Sequence, residues 1–234
     1  MKKMAIVSGA SSGVGLAISR RLVELDWDVV GVARDKEKLA VAERLLSSDF
    51  RGYSVSLERG ESVAEFFEVI KGYYGEVALV VNAAAVFKMK PYSECSIQDI
   101  DRLIDINLKG SMYLTLNALQ WMKETGGGGR IVNIGSVAGL NGIENQAIYC
   151  GSKFGMRGFA EALNQEIIGD GISITTISPG GINTPLWNNN NIYPGNVGDL
   201  LKPEDVAKAV EFIVGQNPRV IIKEITMFPS NEWH

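Results

Sequence analysis

Tyr149 and Lys153 stand four positions apart in Tyr149-Cys150-Gly151-Ser152-Lys153. On a helix that spacing places both side chains on one face. A free tyrosine titrates near pH ~10, too high to trade protons easily in neutral water. A neighbouring ammonium stabilises the phenolate and is expected to lower that value toward the working range. The pair is therefore an acid/base device that needs no imidazole. The one histidine is His234, the last residue of the chain. Termini fray, so Ser-His-Asp and Cys-His triads and His-rich zinc sites are excluded.

Two further polar residues give the pair company. Ser136 follows the apolar run Arg130–Gly135, at the carboxyl edge of an expected strand, where open sheets bind ligands. Asn107 sits in Ile104-Asp105-Ile106-Asn107-Leu108, inside a long helical pattern. Asparagine is a poor helix former, which suits a hydrogen-bonding role. Taken alone, Asn107 reads better as a satisfied core residue.

A second constellation lies near the start. Ser8-Gly9-Ala10-Ser11-Ser12-Gly13-Val14-Gly15 follows a short apolar run and opens a helical pattern. Glycines there let backbone approach a phosphate, and helix N–H groups attract its charge. The spacing is neither G-x-G-x-x-G nor a P-loop, so the strand-to-helix context carries the reading. The next expected strand ends at Ala33, followed by Arg34. An acid at that strand end would bind a ribose 2′-hydroxyl, whereas an arginine pairs with a 2′-phosphate. Arg34, with Lys36 and Lys38 nearby, favours NADP(H) and leaves NAD(H) open. The alternative is that Arg34–Lys38 is only the solvated start of a helix.

These residues need a scaffold. Strand-like runs occur at Met4–Ser8, Asp28–Ala33, Tyr53–Leu57, Val77–Val81, Arg130–Gly135, Ile172–Ser178 and Val220–Met227. Helical patterns alternate with them at Val14–Leu25, Asp35–Ser48, Ser62–Tyr73, Ile97–Thr125, Ala147–Gly169 and Pro203–Gly215. The alternation predicts an α/β fold, one doubly wound parallel sheet covered on both faces. No composition shift marks a second domain, so residues 1–234 read as one unit. Thr184–Leu201 is long for a βα connection and reads as a substrate loop.

Composition bounds the rest. The chain has 234 residues, 46% hydrophobic and 21% charged, as an ordinary globule does. Net charge is -4 and no basic run extends beyond Lys2-Lys3, which argues against nucleic acid as a partner. The apolar start stops at Ser8-Gly9, too early for a secretory signal. No window is long and apolar enough to span a membrane. Cys95 and Cys150 form no CxxC pair and fit a reducing, cytoplasmic setting. No metal site is expected. The 26 glycines exceed the ordinary share of about 7%. The run Gly126–Gly129 suggests only a flexible turn.

Together these residues resemble the short-chain dehydrogenase/reductase family. The resemblance rests on Ser8–Gly15, Asn82-Ala83-Ala84-Ala85, Asn107, Ser136, Tyr149-x-x-x-Lys153, and Pro179-Gly180 with Thr184. They follow the family's order and cover nearly the whole chain. The resemblance implies a Rossmann-type sheet of about seven strands and an NAD(P)-dependent carbonyl/alcohol oxidoreductase. It implies Tyr149 as the acid/base and Lys153 as its pKa-lowering partner and ribose ligand. It also implies Ser136 polarising the carbonyl and Asn107 holding a water in a proton relay. Gly9, Ser11, Ser12, Gly13, Val14 and Gly15 would surround the pyrophosphate, and Arg34 the adenosine end. Asn82, Ala83 and Ala84 would line the adenosine side. Pro179, Gly180, Ile182 and Thr184 would wrap the nicotinamide. A homodimer or homotetramer built on the two long helices would follow.

The chain departs from the family at Ser8, where threonine is usual, and at Ala83 and Ala85, where asparagine and glycine are usual. Ser56 replaces an aspartate that contacts adenine, and the chain ends in Phe228-Pro229-Ser230-Asn231-Glu232-Trp233-His234. Three readings stay open: an NADP(H)-dependent carbonyl reductase, an NAD-dependent alcohol dehydrogenase, and a non-catalytic NAD(P)-binding sensor or scaffold. The substrate reads only as a small or medium carbonyl or alcohol. Phe87, Ala138, Ile143, Gln146, Gly181, Trp187 and the Asn188–Asn191 loop are its candidate contacts.

Overall fold

The computed structural model describes residues 2–187 and 193–232. Its strands are β1 (Met4–Ser8), β2 (Asp28–Ala33), β3 (Phe50–Ser54), β4 (Leu79–Asn82), β5 (Gly129–Ile134), β6 (Ile172–Pro179) and β7 (Glu224–Met227). All pair in parallel, in the spatial order β3-β2-β1-β4-β5-β6-β7. The helices are α1 (Gly13–Glu24), α2 (Lys36–Leu46), α3 (Gly60–Lys71), α4 (Ile97–Ile104), α5 (Gly110–Thr125), α6 (Ala147–Ile167) and α7 (Pro203–Val214). Strand order reverses between β1 and β4, so the crevice beyond their carboxyl ends is where such a sheet takes ligands.

Successive strand side chains point to opposite faces, and each face has its own core. Ile6, Val80 and Ile131 pack with Phe67 and Ile70 of α3 and with Leu114 and Trp121 of α5. Their neighbours Val7, Val81 and Val132 pack against Ile18 and Leu22 of α1 and Val206 and Val210 of α7. This two-sided burial explains why the strands read as nearly continuous apolar runs.

Most boundaries fall within two residues of the sequence expectation, and three elements depart further. β3 lies at Phe50–Ser54 rather than Tyr53–Leu57. Phe50 packs where a side chain on Gly31 would otherwise stand, since a Cβ there would fall 2.3 Å from the ring. Val55 and Leu57 are buried beyond the strand end and only mimic its pattern. The stretch Ile97–Thr125 is broken by a π-helical turn at Asp105–Lys109. β7 is confined to Glu224–Met227. The segment before it is held instead by Arg130, whose guanidinium donates to the carbonyls of Gln216, Asn217 and Val220.

The Gly126–Gly129 run is more than a flexible turn. Gly126 closes α5 in the left-handed region at φ 67°. A Cβ on Gly128, at φ 70°, would lie 2.8 Å from the Gly171 carbonyl oxygen.

Candidate active site

β5 delivers Ser136 to the crevice. Two residues past the strand end, Ser136 caps the short turn Val137–Gly139, and its Oγ accepts a hydrogen bond from the Ala138 N–H at 3.1 Å. The Ser136 hydroxyl lies close enough to the Tyr149 side chain to favour its ionised form. The turn packs tightly on α6: a Cβ at Gly139 would sit 2.9 Å from the Lys153 carbonyl oxygen. Lys153, one helical turn beyond Tyr149, is 2% exposed. Its Nζ donates to the Ile134 carbonyl at 2.8 Å and lies 5.6 Å from the Tyr149 ring centroid. Ser136, Tyr149 and Lys153 thus form one cluster.

The electrostatics correct one expectation. Tyr149 is pushed up to about 12, chiefly by burial and partly offset by the Ser136 hydroxyl. Lys153 is pulled down to about 8 by burial. Desolvation penalises the charged form of each group, and at Tyr149 it outweighs the Ser136 hydroxyl. The resting state is therefore a neutral phenol beside an ammonium that is still mainly protonated at neutral pH.

Asn107 sits in the π-helical turn and is 0% exposed. Its Oδ1 accepts from the Val86 N–H at 2.8 Å, and its Nδ2 donates to the Val86 carbonyl at 2.9 Å and to Ser152 Oγ at 3.2 Å. Ser152 in turn donates to the Tyr149 carbonyl at 2.7 Å. Both side-chain amide protons are thereby committed to protein partners. The side chain ties α6 and the segment after β4 to the helix break.

The glycine loop fits a phosphate. Gly9 has φ 70°, and a Cβ on it would meet Ala84 backbone at 3.0 Å. A Cβ on Gly15 would fall 2.3 Å from the Gly9 carbonyl oxygen, so only glycine lets α1 start this close to β1. Among the described residues no side chain caps this helix end, and its first turn carries no acid. Ser11, Ser12, Gly13 and Val14 present its N–H groups and the positive end of the helix dipole. Gly13 also abuts Thr184, placing the segment after β6 across from the loop. Ser8 Oγ accepts from the N–H groups of Ala83 and Ala84 at 3.0 and 3.1 Å. The hydroxyl retained at this departure thus stitches the loop to the end of β4.

Asn82 is 1% exposed and donates to Asn133 Oδ1 at 2.8 Å and Thr115 Oγ1 at 3.1 Å. Its amide serves the sheet, leaving Ala83 and Ala84 to face the loop. Arg34 is exposed at the end of β2 and lies 3.3 Å from Glu58. Pro179 ends β6, Gly180 N–H donates to the Met227 carbonyl at 2.7 Å, and Ile182 bridges to Leu201. Phe87 packs edge-to-face on Tyr149 at 4.9 Å and on Trp187 at 5.2 Å. Asn188–Asn191 and Trp233 lie outside the described residues. The sequence reading gave no role to Ser152 or Glu58, whose partners are remote in the chain. Ser8, a hydroxyl at a strand end, was visible only as a departure.

The seven-stranded doubly wound sheet, with its glycine turn after β1, is a Rossmann-type fold. The family model described as short chain dehydrogenase matches residues 3–193. An uncharacterized oxidoreductase of Staphylococcus aureus is 31% identical over 228 residues, 97% of each chain. Among solved structures, a metagenomic short-chain oxidoreductase in complex with NADP is similar at TM-score 0.85 and 28% identity, covering 97% of each chain. The closed form of a serine dehydrogenase complexed with NADP+ is similar at TM-score 0.92 and 26% identity, covering 99% of this chain and 96% of that one. The chain belongs to the short-chain dehydrogenase/reductase family and is an enzyme of that oxidoreductase class.

Proposed function

We propose that this protein is an NADP(H)-dependent reductase of carbonyl compounds bearing an apolar substituent, with Tyr149 as its proton donor. The observation that carries this reading is the contact of Ser136 and Tyr149 beside buried Lys153, at the carboxyl edge of β5. When bound, the dinucleotide supplies or takes up the hydride. Gly9, Ser11, Ser12, Gly13, Val14 and Gly15 would hold its pyrophosphate, and Ala83, Ala84, Pro179, Gly180, Ile182 and Thr184 the flanks of its cleft.

The remaining chemistry belongs to the side chains. Burial keeps Tyr149 protonated, so it serves as an acid toward the substrate oxygen. The Ser136 Oγ accepts from Ala138 N–H, which leaves its own proton free to donate toward the same oxygen. As Tyr149 gives up its proton, the ammonium of Lys153 offsets the charge that develops on the phenolate. Asn107 positions these groups by fixing the helix break behind them. Phe87 and Trp187 wall the site with apolar surface.

Two observations support NADP(H). Arg34 stands at the end of β2 without an acid at the strand end, and both structures described above hold NADP. The ion pair with Glu58 is half-exposed and worth little in water, so a 2′-phosphate can displace it. The test is a panel of ketones and aldehydes followed at the NADPH absorbance band, run in parallel with NADH. Consumption of NADPH in preference to NADH is the expected result. A flat panel with firm cofactor binding would favour a sensor instead.

A further inference from the structure

The carboxylate of Glu232 lies between two segments that flank the site. Its Oε2 accepts from the Gly181 N–H at 2.8 Å, and its Oε1 accepts from the Tyr193 hydroxyl. Gly181 follows β6, and its carbonyl also accepts from the Leu201 N–H at 3.0 Å. Asn183 N–H donates to the Leu201 carbonyl at 2.8 Å, closing the base of the loop. One carboxylate therefore grips the backbone at the loop base and a side chain within the loop.

The fit is close. A Cβ at Gly181 would fall 2.8 Å from Glu232 Oε1, and one at Gly180 would fall 3.0 Å from Oε2 and from Pro229. Glycine at both positions leaves room for the carboxylate against this backbone. Pro229 is buried and accepts from the Glu232 N–H at 3.0 Å, so the tail arrives as a turn. Tyr193 packs on Trp187 at 5.1 Å, Trp187 on Phe87 at 5.2 Å, and Phe87 on Tyr149 at 4.9 Å. A continuous row of edge-to-face rings runs from the tail carboxylate to the acid.

We infer that Glu232 is a positioning residue: it clamps the Gly180–Ile182 turn to Tyr193 and so sets the aromatic wall that selects substrate. The inference rests on reading the Tyr149 cluster as a carbonyl oxidoreductase site. Hydrogen bonds to an ionised acceptor are stronger than neutral ones, and two on one carboxylate couple the turn and the loop. Glu232 touches no reacting atom in this scheme, so its loss acts on substrate binding through Tyr193, Trp187 and Phe87.

The test uses the full chain with Glu232→Gln and Tyr193→Phe. Hydrogen exchange read by mass spectrometry should show about tenfold faster exchange at the Gly180–Ile182 turn in Glu232→Gln, whose single amide oxygen cannot accept from both Gly181 N–H and the Tyr193 hydroxyl and carries no charge. Tyr193→Phe should speed exchange around 193–201 and leave the turn protected, because Gly181 keeps its acceptor. With a carbonyl substrate, both variants should raise KM more than they lower kcat, and the double variant should add little to Glu232→Gln. Unchanged exchange at the turn in Glu232→Gln would overturn the clamp. A parent enzyme that reduces no carbonyl would overturn the reading of the site, while the exchange pattern would still decide the clamp.

Discussion

At the scale of single residues, the site is governed by burial more than by pairing. Tyr149 and Lys153 are pushed in opposite directions, to about 12 and about 8. For reduction, Tyr149 must hold its proton and Lys153 its charge, so kcat/KM should be level up to neutral pH and fall above about 8. A profile that first falls near 10, where free tyrosine and lysine titrate, would contradict this assignment. The same shift has a stability consequence. Between about 8 and 10.5 the unfolded chain binds a proton that native Lys153 lacks. Stability contributed by this group therefore rises with pH across that window, and below it burial of the charge costs about 3 kcal/mol. Lys153→Met should lack that slope when unfolding is measured in denaturant at each end of the window. Identical slopes in parent and variant would rule it out. The Tyr-x-x-x-Lys pair was legible in the sequence from spacing alone. The direction of the tyrosine shift was not, because desolvation depends on what covers the helix face.

At the scale of elements, the helix break at Asp105–Lys109 does the positioning. Asn107 satisfies both main-chain groups of Val86 from this turn. Asn107→Ala leaves these partly buried groups without that partner and should lower unfolding free energy by about 1–3 kcal/mol. It should also lower turnover, since Ser152 and the Tyr149 backbone lose their support. Urea denaturation checks the first effect, and a loss under 1 kcal/mol would show that the clamp is dispensable. An asparagine in an apolar helix was a visible oddity in the sequence. Its partner was not, since Val86 lies in an irregular segment with no period to read. The strand boundaries show the same limit. β1 and β2 were legible because Met4–Ser8 and Asp28–Ala33 are bounded by turn residues. β3 was displaced because buried Val55 and Leu57 continue the alternation past its end.

At the scale of the whole molecule, the order β3-β2-β1-β4-β5-β6-β7 gathers residues far apart in the chain at one sheet edge. Ser8, Asn82, Ser136 and Pro179 all stand at carboxyl ends of central strands, which the alternation of elements already implied. Contacts made by the chain's last residues were not legible, because Glu232 sits in a segment without period or motif. A dinucleotide bound only by the native state raises stability by mass action. NADPH should therefore raise Tm more than equimolar NADH, and Arg34→Ala should erase the difference. A larger shift with NADH in the parent would reverse the cofactor assignment.

The central claim, that Tyr149 is the proton donor of a working reductase, is tested most directly by comparing the parent with Tyr149→Phe. NADPH affinity is read by fluorescence titration and turnover by loss of NADPH absorbance with a carbonyl substrate. Loss of the acid should reduce kcat by about 10²–10⁴-fold, while NADPH affinity stays near that of the parent. Turnover within tenfold of the parent at equal NADPH saturation would contradict the account.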